Sequence, residues 1–169
     1  ISYYERAIYN KPNGNDDVYQ SYYSGLANAF VKQGQFHAKA LTNFQISLNL
    51  DKDDKFEPRT SKIYFYRSLA YFKQNDLNNC INDLNNAIAT DEKYKEAFLQ
   101  RAEAYRKIGK YQDAAHDYTK TLFLDSVYLP AFIGRAECQM EIGKYSDAIT
   151  DIKRGLKTYP ASNELNFLL

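Results

Sequence analysis

Apolar residues along this chain recur at three- and four-residue spacings in short runs, and each run ends at a turn signal. Between 95 and 107, Phe98, Ala102 and Tyr105 fall on one stripe of a helix. Ile108-Gly109-Lys110 interrupts the stripe, with Gly supplying the left-handed residue that commonly ends a helix. Tyr111, Ala114, Tyr118, Thr121 and Leu122 then form a second stripe, stopped at Asp125-Ser126. The pattern predicts two helices joined by a tight turn.

The same pattern returns at a shift of 34 residues, the signature of a repeat architecture. Tyr94 to Glu103 falls on Tyr128 to Glu137, and Ile108 to Ala114 falls on Ile142 to Ala148, with over a third of positions identical. One period earlier a weaker copy begins at Ser61, with Tyr64, Arg67, Ser68, Tyr71 and Ala87 in register. A more divergent one begins near Gln20, with Tyr23, Leu26, Ala27, Phe30, Gly34 and Phe36. First helices are expected from Gln20, Ser61, Lys95 and Pro130, and second helices from Phe36, Leu77, Tyr111 and Tyr145. The chain therefore divides into the second helix of a truncated unit (1–14), a unit at 15–54, a linker at 55–60, units at 61–94, 95–128 and 129–162, and the start of another helix at 163–169. Asn13 to Tyr19 and Lys52 to Thr60 exceed what the period needs and read as polar loops. An array requires polar caps; neither end shows one, so the chain is expected to be a piece of a longer protein.

These positions resemble the tetratricopeptide repeat family. Its pattern of large residues at the fourth and eleventh positions and small ones at the eighth and twentieth is met by Phe98, Tyr105, Ala102 and Ala114. Gly109 and Tyr111 supply the turn Gly and the aromatic that follows, and Pro160 the terminal Pro. Departures are Asn75 for the turn Gly, Cys80 in a small slot and Gln139 for an aromatic. The resemblance implies an all-α, right-handed α-solenoid of helix-turn-helix repeats that binds other polypeptides.

Composition narrows the function. Apolar residues make up 44% of the chain and the net charge is +1, so no basic excess points to nucleic acid. No run of about eighteen apolar residues is present for membrane insertion. Cys80 and Cys138 stand alone, no metal-ligand spacing exists, and no Asn-x-Ser/Thr sequon occurs, which favours a reducing cytoplasmic or nuclear compartment. His37 and His116 lie in different units without a nucleophile, so neither enzyme chemistry nor a cofactor or metal is expected.

Two ladders share the period. Arg67, Arg101 and Arg135 occupy the seventh position and Asp83, Asp117 and Asp151 the twenty-third. They are expected to pair, within a unit or across a junction, as structural salt bridges. This arrangement resembles units of chaperone-associated adaptors, including those carrying a J-domain and those reading the acidic C-termini of heat-shock chaperones. The clamp for such a C-terminus would fall on Ser24, Asn28, Tyr66, Glu96 and Gln100; only Asn28 matches, and Glu96 would repel the carboxylate. The clamp is not carried over. In the family the first helices line a concave groove, which here implies Asn28, Lys62, Phe65, Tyr66, Leu69 and Lys73, then Glu96, Leu99, Glu103 and Arg106, then Ile133 and Glu137. The apolar members are expected to lie exposed as a binding patch, with lysines dominating early and glutamates late. The leading reading is a protein–protein scaffold or adaptor holding a partner peptide, helix or neighbouring subunit in that groove. A J-domain-bearing co-chaperone and the regulatory region of a larger enzyme are the alternatives.

Overall fold

A computed structural model describes residues 21, 23–27, 29, 37–50 and 57–169. The expected helix at 1–14, the loop at Asn13 to Tyr19, the turn at Gly34 and the groove residue Asn28 lie outside the described residues. Helical residues 21, 23–27 and 29 precede α1 (His37–Asn49), α2 (Glu57–Lys73), α3 (Leu77–Thr90), α4 (Lys95–Lys107), α5 (Tyr111–Leu124), α6 (Leu129–Glu141), α7 (Tyr145–Thr158) and α8 (Asn163–Leu168). No strand occurs among the described residues. The protein is all-α, and α3, α5 and α7 begin at 77, 111 and 145, one period of 34 apart. One expectation is corrected. Residues 57–60 of the expected linker form the opening turn of α2, where Pro58 does no harm because its missing N–H would have no helical partner there.

The chain forms two compact units, Ile1–Glu92 and Lys93–Leu169. In the first, Leu26, Ala27, Ala40, Phe44, Ile63 and Ala70 make a buried core with Leu41, Leu48 and Tyr66 packed against it. In the second, Ala102, Ala114, Tyr118, Leu122, Ala131, Phe132 and Cys138 form one core cluster, and Ala136, Ala148, Ile152 and Leu165 another. The alternation of alanine with aromatic residues explains both: alanines let helix backbones approach, and large side chains fill the space on either side.

Each of the three hairpins from α2 to α7 turns through a single left-handed residue. Gly109 and Gly143 both sit at φ +75°, and the next residue closes a six-residue loop: Lys110 N donates to Tyr105 O at 2.9 Å, and Lys144 N to Gln139 O at 2.7 Å. Asn75, at φ +60°, does the same work in the α2–α3 turn, with Asp76 N donating to Tyr71 O at 3.0 Å. Asn is the residue that tolerates this region best after Gly, because its short amide can bond locally.

Candidate functional site

The two ladders form a framework internal to each hairpin. Arg67 donates from Nε and Nη2 to the two Asp83 carboxylate oxygens at 2.7 and 2.6 Å. Arg101 grips Asp117 in the same way at 2.7 and 2.8 Å, and Arg135 grips Asp151 at 2.7 and 2.5 Å. The aspartates are all but sealed from water, at 3%, 1% and 4% exposure. The bidentate fork supplies two charge-assisted bonds where water cannot compete. The remaining Nη1 reaches the preceding hairpin: Arg67 donates to Gln45 Oε1 at 2.7 Å and Arg135 to Thr119 Oγ1 at 3.0 Å. Burial would lower the Arg67 pKa, but the bonds and charge of Asp83 outweigh it, and the guanidinium is held above its ordinary value. Burial raises the Asp83 carboxyl against the pull of those same bonds.

Aromatic rings brace two of these arginines. Tyr64 and Tyr71 stack on Arg67 at 5.7 and 6.0 Å, and Phe98 and Tyr105 on Arg101 at 5.6 and 5.9 Å. At the matching position after Arg135 stands Gln139, whose buried Oε1 has no hydrogen-bond partner among the described residues.

The first-helix residues named as groove-lining are less exposed than a bare apolar patch requires. On α2, Lys62 and Lys73 are exposed and Phe65, Tyr66 and Leu69 half-buried. The Phe65 and Tyr66 rings meet edge to face at 5.6 Å, and Tyr66 also covers the core of its own unit. On α4, Glu96 is exposed, but Leu99 packs against the Tyr118–Phe132 core; on α6, Ile133 packs against the Ile152–Leu165 core. Leu99 and Ile133 are therefore corrected from free patch residues to half-buried members of the framework. Long side chains on a helix lean back over the preceding turn, which carries these two toward the hairpin junctions.

The late glutamates are also corrected, in part. Tyr118 is fully buried, and its hydroxyl donates to Glu103 Oε1. Arg106 lies within 3.4 Å of Glu103 Oε1 and donates to the Tyr118 hydroxyl at 3.4 Å, while its Nη2 stands 2.6 Å from Glu137 Oε2. Three groups expected to orient a partner thus hold one another. Burial, followed by the bond to Glu103, raises the Tyr118 phenol well above its ordinary value. The Tyr118 ring fits because Gly134 faces it: a Cβ there would lie 2.3 Å from Tyr118 Cζ. This pairing was readable only by setting the units side by side, where Tyr118 replaces Leu84 and Ile152. A glycine inside a helical pattern signals such a close approach.

Between α4, α6 and α8 an open cleft of about 460 Å³ remains, lined by Glu103, Arg106, Lys107, Tyr111, Glu137, Cys138, Met140, Glu141 and Leu168. A second, polar hollow of about 370 Å³ is lined by residues including Gln112, His116, Arg135, Gln139, Lys144 and Asp147. Burial pushes the Cys138 thiol up to about 12, so it stays protonated and unreactive at neutral pH. Among the described residues no group of three or more His, Cys, Asp or Glu could hold a metal ion. No helix among them is long and apolar enough to cross a membrane.

Residues 99–163 match the family model described as tetratricopeptide repeat. Over this stretch the chain is similar to tetratricopeptide repeats. Its fold is that of the crystal structure of MamA, which is 18% identical with a TM-score of 0.79 over 93% of this chain and 85% of that one. It is also that of a tetratricopeptide repeat protein from Parabacteroides merdae, 15% identical with a TM-score of 0.81 over 89% of this chain and 57% of that one. The second such domain of human RPAP3, solved in complex with the HSP70 peptide SGPTIEEVD, is 28% identical. Its TM-score is 0.61, over 69% of this chain and 94% of that one. No curated protein sequence matches the chain. The likeness to these helical repeats gives the chain an all-α solenoid fold.

Proposed function

We propose that this array is a non-catalytic protein-interaction scaffold that holds a peptide or helix of a partner on its first-helix face. The observation that carries the reading is the division of labour among its charged groups. Every Arg–Asp rung is spent inside a hairpin, whereas the open cleft lies on the first helices α4 and α6 and carries both carboxylates and the apolar Met140 and Leu168. Such a mixture of apolar wall and convergent polar groups suits a polypeptide segment. On α2 the half-buried Phe65, Tyr66 and Leu69 between Lys62 and Lys73 supply a comparable surface. Two free, buried cysteines suit the reducing cytoplasm. A co-chaperone or an enzyme's regulatory region would use the same face; the scaffold reading asks for nothing beyond these residues.

Selection of a random peptide library on the purified chain tests this. Enriched peptides should protect amides of α2, α4 or α6 from hydrogen exchange, and Phe65→Ala or Met140→Ala should weaken them about tenfold or more while circular dichroism stays unchanged. Failure to enrich any peptide, or protection confined to α3, α5 and α7, would sink the proposal.

A further inference from the structure

We propose that the cleft between α4, α6 and α8 selects a basic segment, a Lys or Arg side chain next to a large apolar one, and rejects an acidic one. This deepens the protein-binding reading above and rests on it. The peptide SGPTIEEVD seen with the RPAP3 domain is acidic, so the choice is a sharp one.

The charge balance decides it. Two cations of α4, Arg106 and Lys107, line the cleft, and Arg106 is already engaged by Glu103 and Glu137. Glu103 in turn takes the Tyr118 hydroxyl, which pins this carboxylate from below. An incoming carboxylate would have to pull Arg106 away from two anions and leave both beside the new charge. An incoming ammonium or guanidinium meets Glu137, whose side chain keeps 33% exposure, and the exposed Glu141 one turn further along the same face of α6. The cleft is lined by three glutamates against Arg106 and Lys107, so one negative charge is left over. Its apolar wall, Met140 and Leu168, accepts the stem of a long basic side chain or its hydrophobic neighbour. The pair of charges also sits where water is partly excluded, so complementarity here discriminates more than at an open surface.

The test uses three fluorescent peptides that share one sequence of Leu and Met anchors and differ only in having Lys, Gln or Glu between them. Anisotropy titrations at 50 mM and 500 mM salt should rank them Lys, Gln, Glu, with the Lys peptide at least tenfold tighter than the Glu peptide at low salt and the gap narrowing at high salt. Glu141→Gln, at an exposed site that cannot disturb folding, should cost the Lys peptide about threefold to tenfold and leave the Gln peptide unchanged. Glu137→Gln frees one side of Arg106 and should in addition improve the Glu peptide. Equal affinities, tighter binding of the Glu peptide to the unmodified chain, or indifference of the Lys peptide to both substitutions would overturn the inference. If library-selected peptides protect α2, α4 or α6 while all three designed peptides fail to compete with them, the cleft's selectivity is wrong and the scaffold reading stands. If no peptide of either kind binds, both fall.

Discussion

The hairpin of α2 and α3 and the hairpin of α4 and α5 follow one pattern but close their turns with different chemistry. The first turns through Asn75, a residue that pays some strain at positive φ, yet the next residue, Asp76, caps α3: its carboxylate accepts from Asn79 N at 3.2 Å and from Asn79 Nδ2 at 2.7 Å. The second turns through Gly109 without strain, and Lys110 caps α5 with no side-chain hydrogen bond at all. Each hairpin is good where the other is poor. What they share is the rung, Arg67–Asp83 in one and Arg101–Asp117 in the other, with near-identical geometry. The comparison teaches that the framework is held by the rung and the alanine–aromatic packing, while turn and cap are free to trade.

Breaking the rungs gives the largest expected effect. Asp83→Ala and Asp117→Ala each leave a guanidinium that is 12% and 17% exposed without its partner. The cost should be about 3 kcal/mol in each hairpin, at the low end for a buried pair because some water reaches the arginine. Native-state hydrogen exchange, read hairpin by hairpin, is the right measurement because a repeat array need not unfold in one step. Losses that agree within about 1 kcal/mol support a shared framework; a loss confined to one hairpin would mean that its turn or cap carries the load instead.

A third hairpin, α6 and α7, sharpens the point. Its Arg135 has the rung, but Gln139 stands where Tyr71 and Tyr105 brace the other two arginines, and it leaves a carbonyl buried and without a partner among the described residues. Gln139→Tyr should restore the brace and remove the orphan, a gain of about 1–2 kcal/mol from relief of an unsatisfied group with a small cation–π contribution. Thermal denaturation checks it. A lower midpoint would show that the site has no room for the ring and that the glutamine is there for its volume.

Turn and cap come next in size. Lys110→Asp should add the missing cap to α5 and gain about 1 kcal/mol. Asn75→Gly should gain only a few tenths, since Asn already tolerates the left-handed region and Gly loses more entropy on folding. If the trade described above is real, the double variant brings the two hairpins closer in exchange stability than either single one.

The period made most of the fold legible. Turn residues and the alanine–aromatic stripes are local signals, and they place Leu77, Tyr111 and Tyr145 at helix starts because nothing beyond the hairpin needs to be known. The arginine and aspartate ladders were visible as repeated charges, but sequence left open whether they pair within a unit or across a junction. That depends on side-chain reach across sixteen residues, which the structure assigns to the hairpin. The first-helix face was the least legible part. Leu99 and Ile133 occupy positions whose helical angle says groove, yet their length lets them lean over a junction and join the core. Glu103 and Arg106 were read as separate charges because the residue that joins them, Tyr118, comes from the opposite helix and looked like core.

The smallest effect tests a contact that one hairpin has and the other cannot make. Lys95, at the start of α4, donates from Nζ to Asp125 Oδ2 at 2.8 Å, with the Tyr128 ring 4.5 Å from the same ammonium; Ser61 stands in its place one period earlier. Both side chains are half-buried at the surface, with 25% and 29% exposure, so salt still reaches and screens the attraction and little stability follows. Its direction is nonetheless fixed. The hydrogen bond from Lys95 holds the Asp125 carboxyl below the usual carboxylate range, and the bond to Asp125 holds the Lys95 ammonium above the usual lysine value. A carboxyl depressed on folding stabilises above its unfolded pKa of about 3.9 and loses that contribution as pH falls through the folded value. A raised ammonium stabilises below about 10.4 and loses it as pH rises through its own folded value. The contact should therefore be whole between those limits. A carbon-detected NMR titration of Asp125 should show a midpoint below that of a free aspartate, and Lys95→Met should return it to the ordinary range. An unchanged midpoint in the variant would assign the depression to the amide of Val127, which approaches Asp125 Oδ1 at 3.4 Å, and would leave the two hairpins alike at their ends.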